Sequence, residues 1–190
     1  MNHYRHWKFV FDSILAIVLL TVLLPLMILL LVIAGADTRS GGLFFQKRVG
    51  RSGKTFTIYK FRTIKKDGTK CSATGAFLRK FKLDELPQLF NILSGDMSFV
   101  GPRPDVEGYY DRLSGKDRNV LQLRPGITSE ASIKYSNEEE ILKAQKNPMQ
   151  YNDEVVFPDK IKMNLHYLEN MSFSGDMKIL MRTVFRIFFK

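Results

Sequence analysis

The sequence predicts a small mixed α/β (α+β) domain attached to an N-terminal membrane helix and a C-terminal amphipathic helix. Three patterns indicate this class: a long uncharged apolar run, two short alternating strands, and helical periodicity over most of the remaining chain. The 190 residues suffice for one domain with a real core. A single cysteine, Cys71, excludes a disulfide scaffold.

The apolar run lies in residues 1–38. The 24 residues from Ser13 to Ala36 carry no charge. A helix of that length reaches about 36 Å, against a hydrocarbon core of about 30 Å. We therefore expect residues 1–38 to be inserted in a membrane.

Three membrane geometries fit this run. The segment Ala34-Gly35-Ala36 is similar to a signal-peptide cleavage site, but the apolar region is long for a signal peptide. A crossing helix would leave the more basic C-terminal side in the cytoplasm. In the third geometry Pro25 bends the helix, so that the segment enters one leaflet and returns. Composition leaves the crossing and re-entrant geometries open.

Two strands follow the membrane segment. Residues 43–49 and 55–62 alternate in polarity and are joined by a glycine-containing turn, which predicts a β-hairpin. Lys60 and Arg62 lie on the same face of the second strand. Residues 65–72 are predicted to form a polar loop.

Helical patterns occupy much of the remaining domain, 39–190. Residues 76–93 are apolar at helical spacing, and Pro87 is expected to divide them into two helices, the second ending at Ser94-Gly95. Residues 137–146 form a charged helix that is typical of a solvated surface.

The C-terminal segment 174–190 is predicted to be an amphipathic helix capped by Ser174. Four bases recur at every fourth position beside a broad apolar face: Lys178, Arg182, Arg186 and Lys190. This pattern is typical of an interfacial helix, each base contributing about 1 kcal/mol near anionic lipid. Docking on the domain's own core would give a similar pattern. We favour the membrane interpretation because the chain already carries a membrane segment.

The net charge of +10 is concentrated in residues 39–82, which hold thirteen bases against Asp67. Such a window predicts an anionic partner: phosphate groups, nucleic acid or anionic lipid. The chain has no recognisable nucleic-acid reading motif, so we expect no nucleic-acid partner.

Asp84 and Glu85 are paired carboxylates just before the second predicted helix. The helix dipole and the nearby cations of Arg79, Lys80 and Lys82 would favour ionised carboxylates. An ionised aspartate among cations suits a nucleophile toward phosphorus or a ligand of Mg²⁺. The simpler interpretation is that both acids cap the helix.

Arg103 and Arg124 each stand beside proline. Proline fixes the neighbouring backbone, so a guanidinium loses less freedom when it binds a phosphate bidentately. Either arginine alone would equally fit an ordinary surface turn. The three histidines show no metal-ligand spacing, so neither zinc nor a Ser-His-Asp triad is predicted.

Four motifs occur in a fixed order along the chain. They are Lys60-Phe61-Arg62-Thr63, Leu83-Asp84-Glu85-Leu86-Pro87-Gln88, Gly95-Asp96-Met97-Ser98-Phe99-Val100-Gly101-Pro102-Arg103-Pro104 and Arg124-Pro125-Gly126-Ile127-Thr128. Together they resemble the bacterial sugar transferase family, the monotopic phosphoglycosyl transferases. The likeness runs from Phe11-Asp12 to Asp176-Met177-Lys178-Ile179, and the length matches the minimal catalytic form of that family.

The resemblance implies a two-step reaction at the cytoplasmic face of the bacterial inner membrane. Asp84, with Mg²⁺ bound, would attack the β-phosphate of a UDP-sugar and release UMP. Undecaprenyl phosphate would then take the phosphosugar from the aspartyl intermediate. The product would begin a capsule, an O-antigen, an exopolysaccharide or a glycoprotein glycan.

The resemblance also implies a role for each matching side chain. Asp84 would be nucleophile and metal contact, and Glu85 would act as a base or orient the metal and acceptor. Five cations would hold phosphates: Lys60, Arg62, Arg79, Arg103 and Arg124. Asp176 matches a family position too, but its place near a helix start favours a structural role.

The sequence departs from the family at two places. Leu24-Pro25 stands where the family has Ser-Pro at the bend of a re-entrant helix; Pro25 keeps that expectation, although the serine hydroxyl is lost. Residues 129–135 differ from the usual continuation beside the sugar pocket. We expect an N-acetylated amino or deoxy sugar, with a hexose as the alternative. Monomer and homodimer both stay open.

A different class of function competes with the enzyme. Residues 39–82 would also serve a membrane-anchored, non-catalytic protein that binds polyanions. The paired acids Asp84 and Glu85 argue against it, because they would lie badly beside such a patch.

Overall fold

The computed structural model describes residues 4–65, 68 and 71–189. Helices surround two small two-stranded sheets, which confirms the predicted mixed α/β class. In chain order the elements are α1 (Tyr4–Thr38), β1 (Leu43–Val49), β2 (Thr55–Phe61), α2 (Ala73–Lys80), α3 (Gln88–Leu93), β3 (Ser98–Val100), β4 (Gly126–Thr128), α4 (Glu130–Lys134), α5 (Glu138–Lys143), α6 (Pro148–Tyr151), α7 (Phe157–Asn170) and α8 (Phe173–Phe188).

Helix α1 is long and apolar enough to cross a membrane, and Pro25 lies inside it. One face packs on the rest of the chain along its whole length, as the buried residues Lys8, Asp12, Ala16, Leu20, Met27, Leu30, Ala34 and Thr38 show. Near one end, Lys8 forms an ion pair with Asp176 of α8. Near the other end, Ser72 donates a hydrogen bond to Asp37. Both ends of α1 therefore contact the domain 39–190.

The predicted hairpin is present. β1 and β2 pair antiparallel, from Leu43 opposite Phe61 to Val49 opposite Thr55. The second strand ends at Phe61, one residue earlier than expected. Of the predicted polar loop 65–72, residues 66, 67, 69 and 70 lie outside the described part of the chain.

The predicted pair of helices around Pro87 is also present. α2 begins three residues earlier than expected, at Ala73, because the Ser72 hydroxyl accepts a hydrogen bond from the Gly75 N–H at 2.9 Å. α3 follows Pro87 directly, and the chain leaves it through Gly95 at φ +82°. A single 3₁₀ turn, Leu83–Glu85, joins the two helices.

The parallel pair β3–β4 was not predicted. It brings two proline-containing loops together: the Gly101 N–H donates to the Thr128 carbonyl at 2.9 Å, and the Gly126 N–H to the Pro102 carbonyl at 2.8 Å. A Cβ atom on Gly126 would lie 2.1 Å from the Gly101 nitrogen. Only glycine permits this approach, which fixes the backbone beside Arg103.

The C-terminal helix starts differently from the prediction. Ser172, not Ser174, caps α8, because its hydroxyl accepts from the Gly175 N–H at 3.2 Å. α8 buries Asp176 and Ile179 against the domain and exposes a row of apolar side chains: Met181, Val184, Phe185, Phe188 and Phe189. The same helix therefore packs on the domain with one face and exposes an apolar face to its surroundings. The fourth predicted base, Lys190, lies outside the described residues.

Candidate active site

Glu85 is the buried centre of an ion cluster. Its Oε1 accepts from Lys60 Nζ at 2.9 Å and from Arg103 Nη2 at 2.8 Å, and only 6% of its side chain is exposed. Burial alone would raise the pKa of Glu85, but the charges of Arg103, Lys60 and Lys82 outweigh it and lower the pKa to about 2. A carboxylate with that pKa is a poor proton acceptor near pH 7. The geometry therefore favours the orienting role over the base role.

Asp84 lies beside this cluster, and one of its carboxylate oxygens forms no hydrogen bond with the described residues. Its residue surface is 7% exposed, and its Oδ1 has no hydrogen-bond partner among the described residues. Burial, followed by the charge of Glu85, raises the pKa of Asp84, while Lys60, Lys82 and Arg79 lower it; the net shift is upward. For Asp84, though not for Glu85, the expectation that the surroundings favour the ionised form is therefore wrong, because desolvation exceeds the effect of the cations.

Local backbone geometry explains how the two acids reach this position. Lys82 adopts a left-handed conformation, φ +57°, which turns the chain from α2 into the 3₁₀ turn that carries Asp84 and Glu85. Such a conformation costs a non-glycine residue about 1 kcal/mol and needs support from its surroundings.

Asn91 of α3 fixes this helix against β2. Its side chain is fully buried, donates to the Thr57 carbonyl at 2.7 Å and accepts from the Tyr59 N–H at 3.1 Å. The amide thereby occupies the open edge of β2 as a neighbouring peptide group would. This contact holds α3, and with it Glu85, against Lys60.

A cleft of about 720 Å³ opens beside the cluster, and Lys60, Glu85 and Arg103 line it. This size is typical of sites for small molecules and cofactors. Its walls also include Thr128 at the end of β4, Ser129 just before α4 and Tyr135 just after α4. The cleft therefore joins the ion cluster to the segment 129–135, where the sequence departs from its family.

The other predicted cations divide into two groups. Arg79 is exposed on α2, and its charge acts on Asp84. The Arg62 guanidinium lies 5.5 Å from the Phe44 ring, and that of Arg124 lies 4.4 Å from the Phe9 ring of α1. Neither Arg62 nor Arg124 lines the cleft. Lys60 and Arg103 therefore bind Glu85 and line the cleft, and Arg79 acts on Asp84 through its charge without lining the cleft. Arg62 and Arg124 do neither.

Several residues that line the cleft were missed or given another role. Arg48 of β1 and Lys160 of α7 line it, and no motif marks either of them. Arg186 of α8, assigned to lipid by its spacing, also lines it. The charged helix predicted at 137–146 is α5, and its acidic first turn borders the cleft rather than only solvent. These contacts join segments that are distant in sequence.

The described residues offer one protein ligand for a magnesium ion. Among the described residues there is no group of three or more metal-ligating side chains. Glu85 already binds two cations, whereas Asp84 Oδ1 is unpaired. Magnesium is often bound by one or two carboxylates together with water and substrate phosphates. Asp84 fits that mode.

Comparison with known proteins identifies the family of this chain. A family model described as bacterial sugar transferase matches residues 3–190. An uncharacterized sugar transferase, EpsL of Bacillus subtilis (strain 168), is 33% identical, with 95% of this chain and 86% of the relative covered. The UDP-glucose:undecaprenyl-phosphate glucose-1-phosphate transferase of Xanthomonas campestris pv. campestris is 31% identical, with 98% and 40% covered. The undecaprenyl-phosphate galactose phosphotransferase of Salmonella typhimurium is 32% identical, with 94% and 40% covered.

The chain belongs to the bacterial sugar transferase family. It spans 40% of the length of the Xanthomonas and Salmonella relatives and most of the length of EpsL. The protein is thus a transferase, and the non-catalytic polyanion binder is excluded.

Proposed function

We propose that the protein transfers a phosphosugar from a UDP-sugar to undecaprenyl phosphate and releases UMP. The observation that carries this proposal is the buried Asp84 oxygen, which is unpaired beside the cations Lys60, Lys82 and Arg79. Lys60 and Lys82 line a cleft of about 720 Å³ together with Glu85, the neighbour of Asp84. Phosphoryl transfer asks a protein chiefly for positioning and charge neutralisation, and this arrangement offers both. The names of two relatives describe the same type of reaction.

The reaction would proceed in two displacements at Asp84. The carboxylate oxygen bonds to the β-phosphorus of the UDP-sugar, the bond from that phosphorus to the bridging oxygen breaks, and UMP leaves with the electron pair. A phosphate oxygen of undecaprenyl phosphate then bonds to the phosphorus, which returns Asp84 as a carboxylate. Lys60 and Arg103, held by Glu85, would bind the phosphate oxygens. Magnesium, when bound at Asp84 with the substrate phosphates, would supply further charge neutralisation.

As expected from the sequence, we propose that the donor carries an N-acetylated amino or deoxy sugar. Two relatives are named for glucose and galactose, so a panel of donors must include both hexoses. Residues 129–135 are the segment most suited to select among them, because Ser129, Ser132 and Tyr135 line the cleft.

We also propose that α1 enters and leaves the same face of the bacterial inner membrane, with the catalytic domain in the cytoplasm. Lys8 and Asp37, near opposite ends of α1, both bind residues of the domain. A crossing helix would separate such ends by a hydrocarbon core of about 30 Å. Cysteines placed at positions 2 and 190 should react with an impermeant reagent from the same side as the exposed natural Cys71. Opposite-sided labelling would exclude this geometry.

The enzymatic proposal is tested with membranes that contain the full chain. They are incubated with Mg²⁺, undecaprenyl phosphate and a panel of UDP-sugars, and UMP and lipid-linked sugar are measured. One donor should give both products in equal amounts, and Asp84→Asn should give neither. Release of UMP from no donor, or full activity of Asp84→Asn, would remove the proposal.

A further inference from the structure

An exposed aromatic cluster lies where α2 meets α8. The ring centroids of Phe77 and Phe81 are 4.8 Å apart, and those of Phe81 and Phe188 are 6.3 Å apart. Phe77 is 55% exposed and Phe188 is 65% exposed. Two elements that are distant in sequence thus share an apolar surface that the domain leaves open to its surroundings.

Two cations near this aromatic cluster line the same cleft as Glu85. Lys80 and Arg186 both line the cleft, and Lys80 Nζ lies 5.4 Å from the Phe81 ring. Within residues 4–65, 68 and 71–189, neither cation forms a salt bridge. Arg182, one turn earlier on α8, is by contrast bound to both carboxylate oxygens of Glu130 at 2.6 and 2.7 Å. Lys80 and Arg186 therefore keep their charge available for a ligand.

The arrangement of cations next to exposed aromatic rings indicates a ligand with an anionic group and an apolar tail. The cations face the cleft, and the aromatic rings continue into the exposed apolar face of α8. A nucleotide sugar has an anionic diphosphate but no apolar tail that would cover Phe77 and Phe188. A phosphate monoester on a long branched hydrocarbon chain has both parts in the required order.

We propose that the gap between α2 and α8 is the binding site of the polyprenyl phosphate acceptor. Its phosphate contacts Lys80 and Arg186, and its first isoprene units lie on Phe77, Phe81 and Phe188. This site rests on the proposed function for its ligand. It separates the acceptor from the donor, whose phosphates meet Lys60 and Arg103 in another part of the same cleft.

Kinetics of the two half-reactions test the site. Exchange of labelled UMP into the UDP-sugar needs no acceptor and reports the donor half. In Lys80→Ala and Arg186→Ala, the KM for undecaprenyl phosphate should rise about tenfold or more, because a charge-assisted contact is lost, while UMP exchange stays unchanged. Phe188→Ala should raise the same KM. The matched control is Phe185→Ala, which removes a 63% exposed ring from the same helix, stacked on Phe189 instead of Phe81.

An unchanged acceptor KM in both cation variants, or an equal rise in Phe185→Ala, would overturn the site and leave the proposed function intact. Binding is measured separately with p-benzoyl-phenylalanine replacing Phe188 or Phe185 in the full chain. Labelled undecaprenyl phosphate should crosslink at 188 far more than at 185, also in the Asp84→Asn background, and inorganic phosphate should not compete. Equal crosslinking at both positions would show general lipid contact and reject the site, even if no donor supported UMP release.

Discussion

Two buried carboxylate sites of this protein differ in how fully they are paired. Asp176 lies 1% exposed between α1, α7 and α8, and both of its oxygens are used: Tyr4 donates to Oδ2 and Tyr167 to Oδ1, each at 2.6 Å, and Lys8 forms an ion pair with Oδ2. Asp84 is 7% exposed, and its Oδ1 has no partner among the described residues. A paired acid suits the joining of elements, and we propose that the unpaired oxygen of Asp84, beside its cations, is kept for a substrate.

The comparison is tested most strongly by the same isosteric change at both sites. Asp84→Asn should lower transfer activity at least about a thousandfold because the nucleophile is lost, with stability equal or higher because a desolvated carboxylate is removed. Asp176→Asn should cost about 3 kcal/mol of unfolding free energy, since Lys8 loses a charged partner inside the protein. Activity assays and unfolding in detergent measure both. If Asp84→Asn were the destabilised variant, the distinction between the two sites would fail.

A change at Glu85 tests whether its ion pairs with Lys60 and Arg103 organise the candidate active site. Its pKa of about 2 lies below the ordinary value of 4.5, so the ionised form stabilises the fold by about 3 kcal/mol at pH 7. Glu85→Gln should lose about that amount. A lowered pKa contributes stability above the ordinary pKa that is lost as pH falls, so wild type and variant should converge between about pH 4.5 and 2. A stability difference independent of pH over this range would contradict an origin in the charges around Glu85.

Asn91 should affect the candidate active site only by holding Glu85 in position. Asn91→Ala leaves the Thr57 carbonyl and the Tyr59 N–H without their partner, which should cost about 2 kcal/mol and lower activity by loosening Glu85 from Lys60. Phe90→Ala, on an exposed position of the same helix, is the control and should change stability little. Thermal unfolding and UMP release are compared in parallel. Equal behaviour of the two variants would remove the role of Asn91.

The smallest expected effect concerns the protonation of Asp84. Because burial raises its pKa, the acid limb of kcat/KM should lie above the usual range of an aspartate, and activity should increase as pH rises through it. Lys82→Gly removes a nearby cation and keeps the left-handed backbone, so the limb should move further upward. A limb that moved downward would show that the charge of Lys82 does not lower the pKa of Asp84.

Local features of the chain near Asp84 were predicted more accurately than the pKa values and positions of the side chains. Residue types near Asp84 predicted a phosphate site and the break around Pro87, since both depend on neighbours along the chain. The net pKa direction of Asp84 was predicted wrongly, because sequence shows the cations but not the burial. Arg62 and Arg124 were grouped with the site by motif, yet their guanidinium groups lie against Phe44 and Phe9. Side-chain direction depends on packing that no local motif fixes.

By itself the sequence determined the class of domain, the long apolar helix, the hairpin and the break around Pro87. These features follow from periodicity, proline and glycine positions, and charge, which act over a few residues. The tertiary structure alone decided the β3–β4 pairing, the contact of Asn91 with β2, the double attachment of α1, and the place of Arg186 in the cleft. Each joins segments distant along the chain, and such contacts are chosen by the packing and polar pairing of the whole fold.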